Sequence, residues 1–456
     1  MFFHADDSTI CALSTAPGMG AIAMIRVSGP DAINLCHQLF SGDLVSAKSH
    51  TVKYGRFMEG ERVVDEVVMT VFKGPNSFTG EDVIEIACHG STYIQEEILR
   101  ILVENGCRYA ERGEFTFRAF FNRRMDLSQA EAVADLIAAE SAGAHELALD
   151  QMRGGFSKEI AGLRKELINF ASLIELELDF SEEDVEFADR TELTNLLLKI
   201  NSVITALIDS FRSGNAIKNG VPVAIIGKPN AGKSTLLNAL LNEERAIVSD
   251  IPGTTRDTIE DFVVIDGIKF RFIDTAGIRE TEDVIEKIGV ERSMNAFREA
   301  NIITYLFDVN ELSPSQLETE LTTLNQELTE GQQLLIVGNK IDASKVDLSG
   351  YPSEVLFISS LARKGLLELQ ESLINVSNLQ AVSKEHSIVT NVRHHEALSK
   401  ARITLQEVLT GMETGIPGDL MAIDIRKALH HLGEITGEIT TDDLLGNIFG
   451  KFCIGK

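Results

Sequence analysis

The hydrophobic rhythm of the chain changes at three places, and each change predicts a different architecture. Over 1–120, short β-like runs (IAMIRVS at 22–28, VDEVVMTVF at 64–72, VIEIACHG at 83–90) alternate with glycine turns, and one stretch, STYIQEEILRILVENG at 91–106, has helical spacing. This mixture predicts a compact α+β domain. From about 126 to 213, apolar residues recur every three or four positions without a central proline, in DLSQAEAVADLIAAES, GFSKEIAGLRKELINFASLIELELDF and ELTNLLLKINSVITALIDSFRSG. These segments predict amphipathic helices, with the acidic run SEEDVEFADR at 181–190 as a solvated connection.

At 221 the rhythm changes again. VPVAIIG, FVVID, IKFRFID, NIITYLFDV and QLLIVGN are short apolar runs separated by helical or turn-like segments, the βα alternation of a mostly parallel sheet covered by helices. After about 375, HHEALSKARITLQEVLTG, DLMAIDIRKALHHLGEITG and TTDDLLGNIFGKFC return to helical spacing. The expected division is therefore an N-terminal α+β domain over 1–120, helices over 121–217, an α/β unit over 218–375 and helices over 376–456. Helices on both sides suggest an α/β domain inserted into one discontinuous helical domain, because insertion is tolerated where a domain's termini lie close together. Two independent helical units are the alternative.

Composition narrows the class. A chain of 456 residues fits roughly three domains at about 150 residues each. The excess of 69 Asp and Glu over 42 Lys and Arg, a net charge of −27, argues against a protein that coats nucleic acid nonspecifically through counterion release. Five scattered cysteines (Cys11, Cys36, Cys88, Cys107, Cys453) with no CxxC support neither a disulfide framework nor a zinc cluster and suit a reducing cytosol. No cationic leader and no run of 18 apolar residues is present, so a cytoplasmic protein is expected, neither secreted nor membrane-spanning.

The strongest chemical signal is VAIIGKPNAGKSTLLNALL. Gly227, Asn230, Ala231, Gly232, Lys233, Ser234 and Thr235 form GxxxxGKS and its continuation between a strand-like run and a helix. The glycines let the backbone wrap around phosphate, the loop amides donate, and the helix beginning near Lys233 adds its positive end. Lys233 would pair with the β and γ phosphates and Ser234 would place its hydroxyl on Mg²⁺. Farther on, QLLIVGNKID places Asn339, Lys340 and Asp342 after a strand. The Asp342 carboxylate can accept the N1 and N2 hydrogens of guanine, which adenine lacks, while Lys340 lies over the purine face and Asn339 ties this loop to the phosphate loop. Ser359 and Ser360 of VLFISSLARKG are further candidates for contacts to the base.

Two hydrolysis elements lie between. In IDTAG, Asp274 can hold Mg²⁺ through water and Gly277 can present its amide to the γ phosphate, flanked by Thr275 and Ala276. SDIPGTTRD supplies Ser249, Asp250, Ile251, Pro252, Gly253, Thr254 and Thr255, with Thr255 as the second hydroxyl on Mg²⁺. In the Ras-type arrangement a glutamine directly after DTAG positions the attacking water, but this chain has Ile278 there. An isoleucine cannot hydrogen-bond water. Glu280, Glu282, Asp283 and Glu286 are nearby carboxylates among which spacing alone does not choose.

Together GKPNAGKS, PGTTRD, DTAG and NKID resemble the translation-factor-related class of small GTPases. With GAIAMIRVSGP at 20–30, FTGEDVIEIACHG at 78–90, RRMDLSQAEAVADLI at 123–137 and the terminal CIGK, the whole chain resembles the bacterial MnmE (TrmE) family of tRNA modification GTPases. The resemblance implies Glu286 as the residue that orients water. It also implies K⁺ in place of an arginine finger, held by Asn230 and by oxygens from Ser249, Ile251 and Thr254, with closure through face-to-face pairing of two G domains. A cation there offsets developing charge as an arginine would.

The same resemblance makes the N-terminal domain a folate-binding and homodimerising one. Arg26, Glu85 and Lys456 would contact the folate, as would Arg124, which stands where many relatives have lysine and so offers a different hydrogen-bond geometry. Cys453 in the terminal CIGK is implied to serve RNA modification, whereas His89 in ACHGS reads as a satisfied structural histidine. The implied partner is the FAD-dependent protein MnmG (GidA). FAD belongs there because this chain has no GxGxxG fingerprint in a dinucleotide-binding unit. The implied product is 5-carboxymethylaminomethyl or 5-aminomethyl uridine at the tRNA wobble position, made from a reduced-folate carbon and glycine or ammonium. The acidic charge suggests that the partner supplies much of the phosphate contact, with Arg112, Arg118, Arg123 and Arg124 forming a limited positive area. A ribosome-assembly GTPase and a GTP-dependent regulatory switch share the G motifs and are the competing readings.

Overall fold

A computed structural model describes residues 8–179, 190–241, 261–273, 297–329, 331–344, 347–377 and 387–455. The chain forms two compact units, one drawn from Met1–Ala134, Asp150–Leu193 and Ile403–Lys456, the other from Asp135–Leu149 and Thr194–Arg402.

In the first unit, β1 (Ile10–Leu13), β2 (Ile22–Ser28), β3 (Thr51–Glu59), β4 (Arg62–Phe72), β5 (Val83–His89) and β6 (Arg108–Tyr109) build one sheet in the order β3-β4-β5-β2-β1-β6. It is antiparallel except where β1 meets β6. Strand alternation sorts the side chains. Ala23, Ile25 and Val27 of β2 and Ile84, Ile86 and Cys88 of β5 are buried in a core shared with α1 (Ala32–Gln38) and α2 (Thr92–Glu104), while Met24, Arg26, Glu85 and Ala87 fall in the outward rows. β3, a strand absent from the sequence reading, reads TVKYGRFME; its polar alternation is that of an edge strand with one solvated face.

Helix α3 (Glu114–Phe121) carries Phe117, whose ring meets Phe449 edge-on at 5.5 Å. Phe449 ends α13 (Asp442–Phe449), which starts on a Thr441 cap with Asp442 and Asp443 in its first turn, a sequence suited to the positive end of a helix. Burial of Phe449, worth about 2–3 kcal/mol, fastens the end of the chain to α3. From there the chain forms a bridge between Ile454 and Arg112, and Ser14 Oγ donates to the Gly455 carbonyl at 3.3 Å. In the same unit α6 (Gly155–Asp179) packs along α12 (Gly418–Thr436), so helices from either side of the α/β segment meet, with Arg426 Nη2 bonded to Glu175 Oε1 at 2.5 Å.

The second unit holds β7 (Val221–Ile226), α8 (Lys233–Leu241), β8 (Asp261–Ile265), β9 (Ile268–Phe272), β10 (Ile302–Asp308), α9 (Pro314–Glu327), β11 (Gln333–Asn339), β12 (Leu356–Phe357) and α10 (Leu366–Ser377). The sheet order is β12-β11-β10-β7-β9-β8, parallel except for the β8–β9 pair. β10 is buried along its whole length, as a central parallel strand covered on both faces must be. Parallel order brings the ends of β7, β10 and β11 to one edge, where ligands of open α/β sheets bind.

Candidate functional site

At that edge the chain leaves β7 into Gly227, Asn230, Ala231, Gly232 and Lys233. Gly227 has φ 153°, and a Cβ there would stand 2.0 Å from the Leu306 carbonyl oxygen, so a side chain is excluded. Asn230 is an exposed non-glycine residue at φ 64° and Gly232 has φ 101°, so the loop passes through left-handed backbone on both sides of Ala231. Lys233 opens α8 and donates from Nζ to the carbonyls of Gly227 (2.6 Å) and Lys228 (3.1 Å). Burial pushes its pKa down, and phosphate oxygens are the acceptors that would favour its charge. Ser234 and Thr235 follow in the first turn of α8.

The residues expected to recognise the base converge on this loop. Asn339, 2% exposed, donates from Nδ2 to the Ala231 carbonyl at 2.8 Å and accepts through Oδ1 from the amide and hydroxyl of Ser360, both at 3.0 Å. Close approach explains Gly232, where a Cβ would lie 2.3 Å from Asn339 Nδ2. Asp342 Oδ1 accepts from Ser359 Oγ at 2.5 Å, and Ser359 Oγ accepts from the Ala362 amide at 3.0 Å. Ser359 and Ser360 thus orient Asp342 and Asn339.

Three partners here, Asp308, Glu320 and Tyr305, were not singled out from the sequence. Lys340, at φ 66°, pairs through Nζ with Asp308 Oδ2 at 2.8 Å. Burial works to raise the Asp308 pKa, but Lys340 and the amides of Asn310 outweigh it and hold the carboxyl below the usual range. Lys228, inside the phosphate loop, pairs with Glu320 of α9 at 2.6 Å, and Glu320 also accepts from the Tyr305 hydroxyl. A carboxylate closing the buried run NIITYLFDV was the available signal for Asp308; Glu320 had none, since it lies on an exposed helix 92 residues from Lys228.

Ser234 offers a hydroxyl oxygen and Asn230 an amide oxygen, donors that suit Mg²⁺ and K⁺ respectively. Ser249, Asp250, Ile251, Pro252, Gly253, Thr254, Thr255, Asp274, Thr275, Ala276, Gly277, Ile278, Glu280, Glu282, Asp283 and Glu286 lie outside the described residues, as does Lys456.

In the N-terminal domain, Arg26 donates from Nε (3.1 Å) and Nη2 (2.8 Å) to Glu85 Oε1 across the β2–β5 ladder. The Arg26 guanidinium lies 5.3 Å from the Phe78 ring centre and 5.7 Å from that of Phe115. A donor and an acceptor side by side suit a hydrogen-bonding heterocycle, while Phe115, fully buried, backs the guanidinium. Phe78 leads into Gly80, against which the stem of Arg124 packs: a Cβ on Gly80 would lie 3.3 Å from Arg124 Cγ. Cys453 is exposed, and its carbonyl accepts from the Gly113 amide at 3.4 Å.

Arg118 departs from its expected place in a positive surface area. It is buried, bonded to Glu81 (3.1 Å), Glu114 (3.0 Å) and the Ser8 carbonyl (2.9 Å). Burial would raise the Glu114 pKa, but Arg108, the Glu111 amide and Arg118 together lower it. A charge neutralised inside the domain adds nothing to the surface potential that RNA would meet. Arg112, Arg123 and Arg124 are exposed.

Comparison with known proteins covers both units. Residues 9–124 match the family described as GTP-binding protein TrmE N-terminus, and residues 127–453 match the MnmE helical domain. The chain is 53% identical over 466 residues to the tRNA modification GTPase MnmE of Flavobacterium psychrophilum, covering 100% of both. It is 54% identical to that of Cytophaga hutchinsonii, over 99% of this chain and 98% of the other, and 52% identical to that of Bacteroides thetaiotaomicron, over 99% and 100%. End-to-end similarity at this level, beside a GxxxxGKS loop bonded to the NKID loop, shows that the chain is a GTPase and belongs to the MnmE family of tRNA modification GTPases.

Proposed function

We propose that this GTPase acts with an FAD-dependent partner of the MnmG (GidA) type to install a carboxymethylaminomethyl or aminomethyl group at carbon 5 of the tRNA wobble uridine. The observation that carries the reading is the seating of the 453–455 tail on the N-terminal domain that holds Arg26 and Glu85, which puts an exposed thiol on the proposed one-carbon domain. Arg26 and Glu85 would hold the folate ring, with Arg124 and Lys456 on its anionic part. Cys453 would serve the uridine.

In the G domain, Lys233 and the loop amides hold the β and γ phosphates, Asp342 reads guanine and Ser359 keeps its carboxylate aimed. Mg²⁺, held by Ser234 and Thr255, would neutralise phosphate charge. Asn230, Ser249, Ile251 and Thr254 would hold K⁺, which offsets charge developing between the phosphates. Glu286 would orient the attacking water, the task for which Ile278 is unsuited. Pairing of two G domains would close the loops over the nucleotide, and the N-terminal domains would hold a constitutive homodimer. Among the described residues no helix is long and apolar enough to cross a membrane.

The test is reconstitution from this chain, the FAD protein, tRNA, reduced folate and glycine or ammonium, with wobble uridine analysed by mass spectrometry. Modified uridine that requires both this chain and GTP hydrolysis is expected. Full modification without the chain, or binding to ribosomal subunits with no modification, would reject the reading.

A further inference from the structure

The last residue of β5, His89, joins to Asp65 of β4 in a way that a structural histidine does not need. The Asp65 carboxylate, 8% exposed, accepts the His89 backbone amide through Oδ2 and the ring Nδ1 through Oδ1, both at 2.8 Å. The ring itself is 68% exposed. A buried carboxylate that holds an exposed imidazole by one nitrogen fixes the ring's orientation and requires the proton on Nδ1. The neutral ring then presents the Nε2 lone pair outward, and Nε2 has no partner among the described residues. A merely structural contact would be complete with the backbone bond.

His89 shares strand β5 with Glu85 of the site already described. In the β2–β5 ladder Arg26 stands opposite Glu85, Met24 opposite Ala87 and Ile22 opposite His89. Four residues of strand separate His89 from Glu85, about 13 Å along β5, and Asp65 stands in the row of β4 that carries Val67 and Met69 into the core. The rim beside His89 is rigid. Gly20 donates to the Gly90 carbonyl at 2.9 Å, Gly90 donates to the Ala21 carbonyl at 3.2 Å, and Gln95 holds the Gly18 carbonyl at 3.0 Å. Packing is so close that a Cβ on Gly90 would lie 2.3 Å from the Gly20 oxygen.

We propose that His89, oriented by Asp65, is the proton acceptor for the amine that joins the one-carbon unit; this rests on the one-carbon reading above. Glycine or ammonia near neutral pH is a protonated amine without a lone pair, so it cannot form a carbon–nitrogen bond. One proton passes from its nitrogen to Nε2, leaving the neutral amine with its lone pair, and the imidazolium stands against the Asp65 carboxylate until it returns the proton to water. No electron transfer is involved. Asp65 is a positioning residue, since it acts only through the ring.

The experiment uses the full chain with the FAD partner. His89→Gln should keep GTP turnover and folate binding within about twofold of the parent while uridine modification falls roughly 100-fold, the scale of a lost general base. His89→Gly should regain modification when imidazole is added, which a packing defect would not do. Nitrogen-15 histidine spectra of the folded chain should show the Nδ1–H tautomer for His89 and its loss in Asp65→Ala. Parental modification by His89→Gln, or an Nε2–H tautomer in the parent, overturns the proposal. Absence of modified uridine or folate binding in the parent instead defeats the one-carbon reading, and the tautomer then judges the dyad alone.

Discussion

Asn339 donates from its side-chain amide to the carbonyl oxygen of Ala231 at 2.8 Å, joining loops 108 residues apart in the chain. The bond ties the NKID loop to the phosphate loop. Asn339→Ala would leave the Ala231 carbonyl and the Ser360 groups without their buried partner, at about 1–3 kcal/mol for each unsatisfied group. The expected outcome is a lower unfolding temperature and at least a tenfold loss of GTP and GDP affinity together, measured by calorimetry. Unchanged affinity would mean that the two loops are positioned independently.

Asp342 is the proposed reader of the base. With Ser359 Oγ donating to Oδ1 at 2.5 Å, the carboxylate is aimed before any base arrives. Asp342→Asn replaces an acceptor with a donor and should weaken GTP by about 100-fold while admitting xanthosine triphosphate, whose carbonyl accepts where guanine donates. Competition titrations measure both. ATP binding as tightly as GTP in the parent would defeat the assignment.

Asp308 links Lys340 to pH. Its folded pKa is lowered, so its stabilising pairing is fully present above the ordinary carboxylate range and is lost as pH falls through the folded value. The parent should unfold at a higher temperature than Asp308→Asn at pH 7, and the gap should close below about pH 4. A gap independent of pH would show that the ion pair with Lys340 contributes nothing.

Asn230, exposed at φ 64° in the phosphate loop, carries the potassium reading. If the cation supplies about 2–3 kcal/mol to the transition state, K⁺ should accelerate hydrolysis roughly 30- to 150-fold over Na⁺. Asn230→Ala should abolish that difference. Glu286→Ala should keep GTP binding but lose most turnover, because water is oriented in the transition state rather than the ground state. Rates at matched ionic strength decide the first, and single-turnover assays the second.

Periodicity was enough for elements whose stability is local or whose burial repeats along the chain. The β2 run at 22–28 and the helix Gly155–Asp179 stand within a residue of their expected positions. β3 escaped because an edge strand with a solvated face reads as polar, and α3 because EFTFRAFF is equally a strand pattern until Phe117 and Phe449 meet. The phosphate loop was legible because backbone geometry there demands glycine at fixed spacing, and the NKID loop because its motif is short and contiguous. What the chain alone determined, then, were chemistries tied to short contiguous motifs. Tertiary structure decided which charges are available: it buried Arg118 among Glu81 and Glu114, placed Asp308 under Lys340 and set Asp65 behind an exposed His89. The physical reason is that desolvation and pairing depend on neighbours distant in sequence, and spacing along one chain carries no record of them.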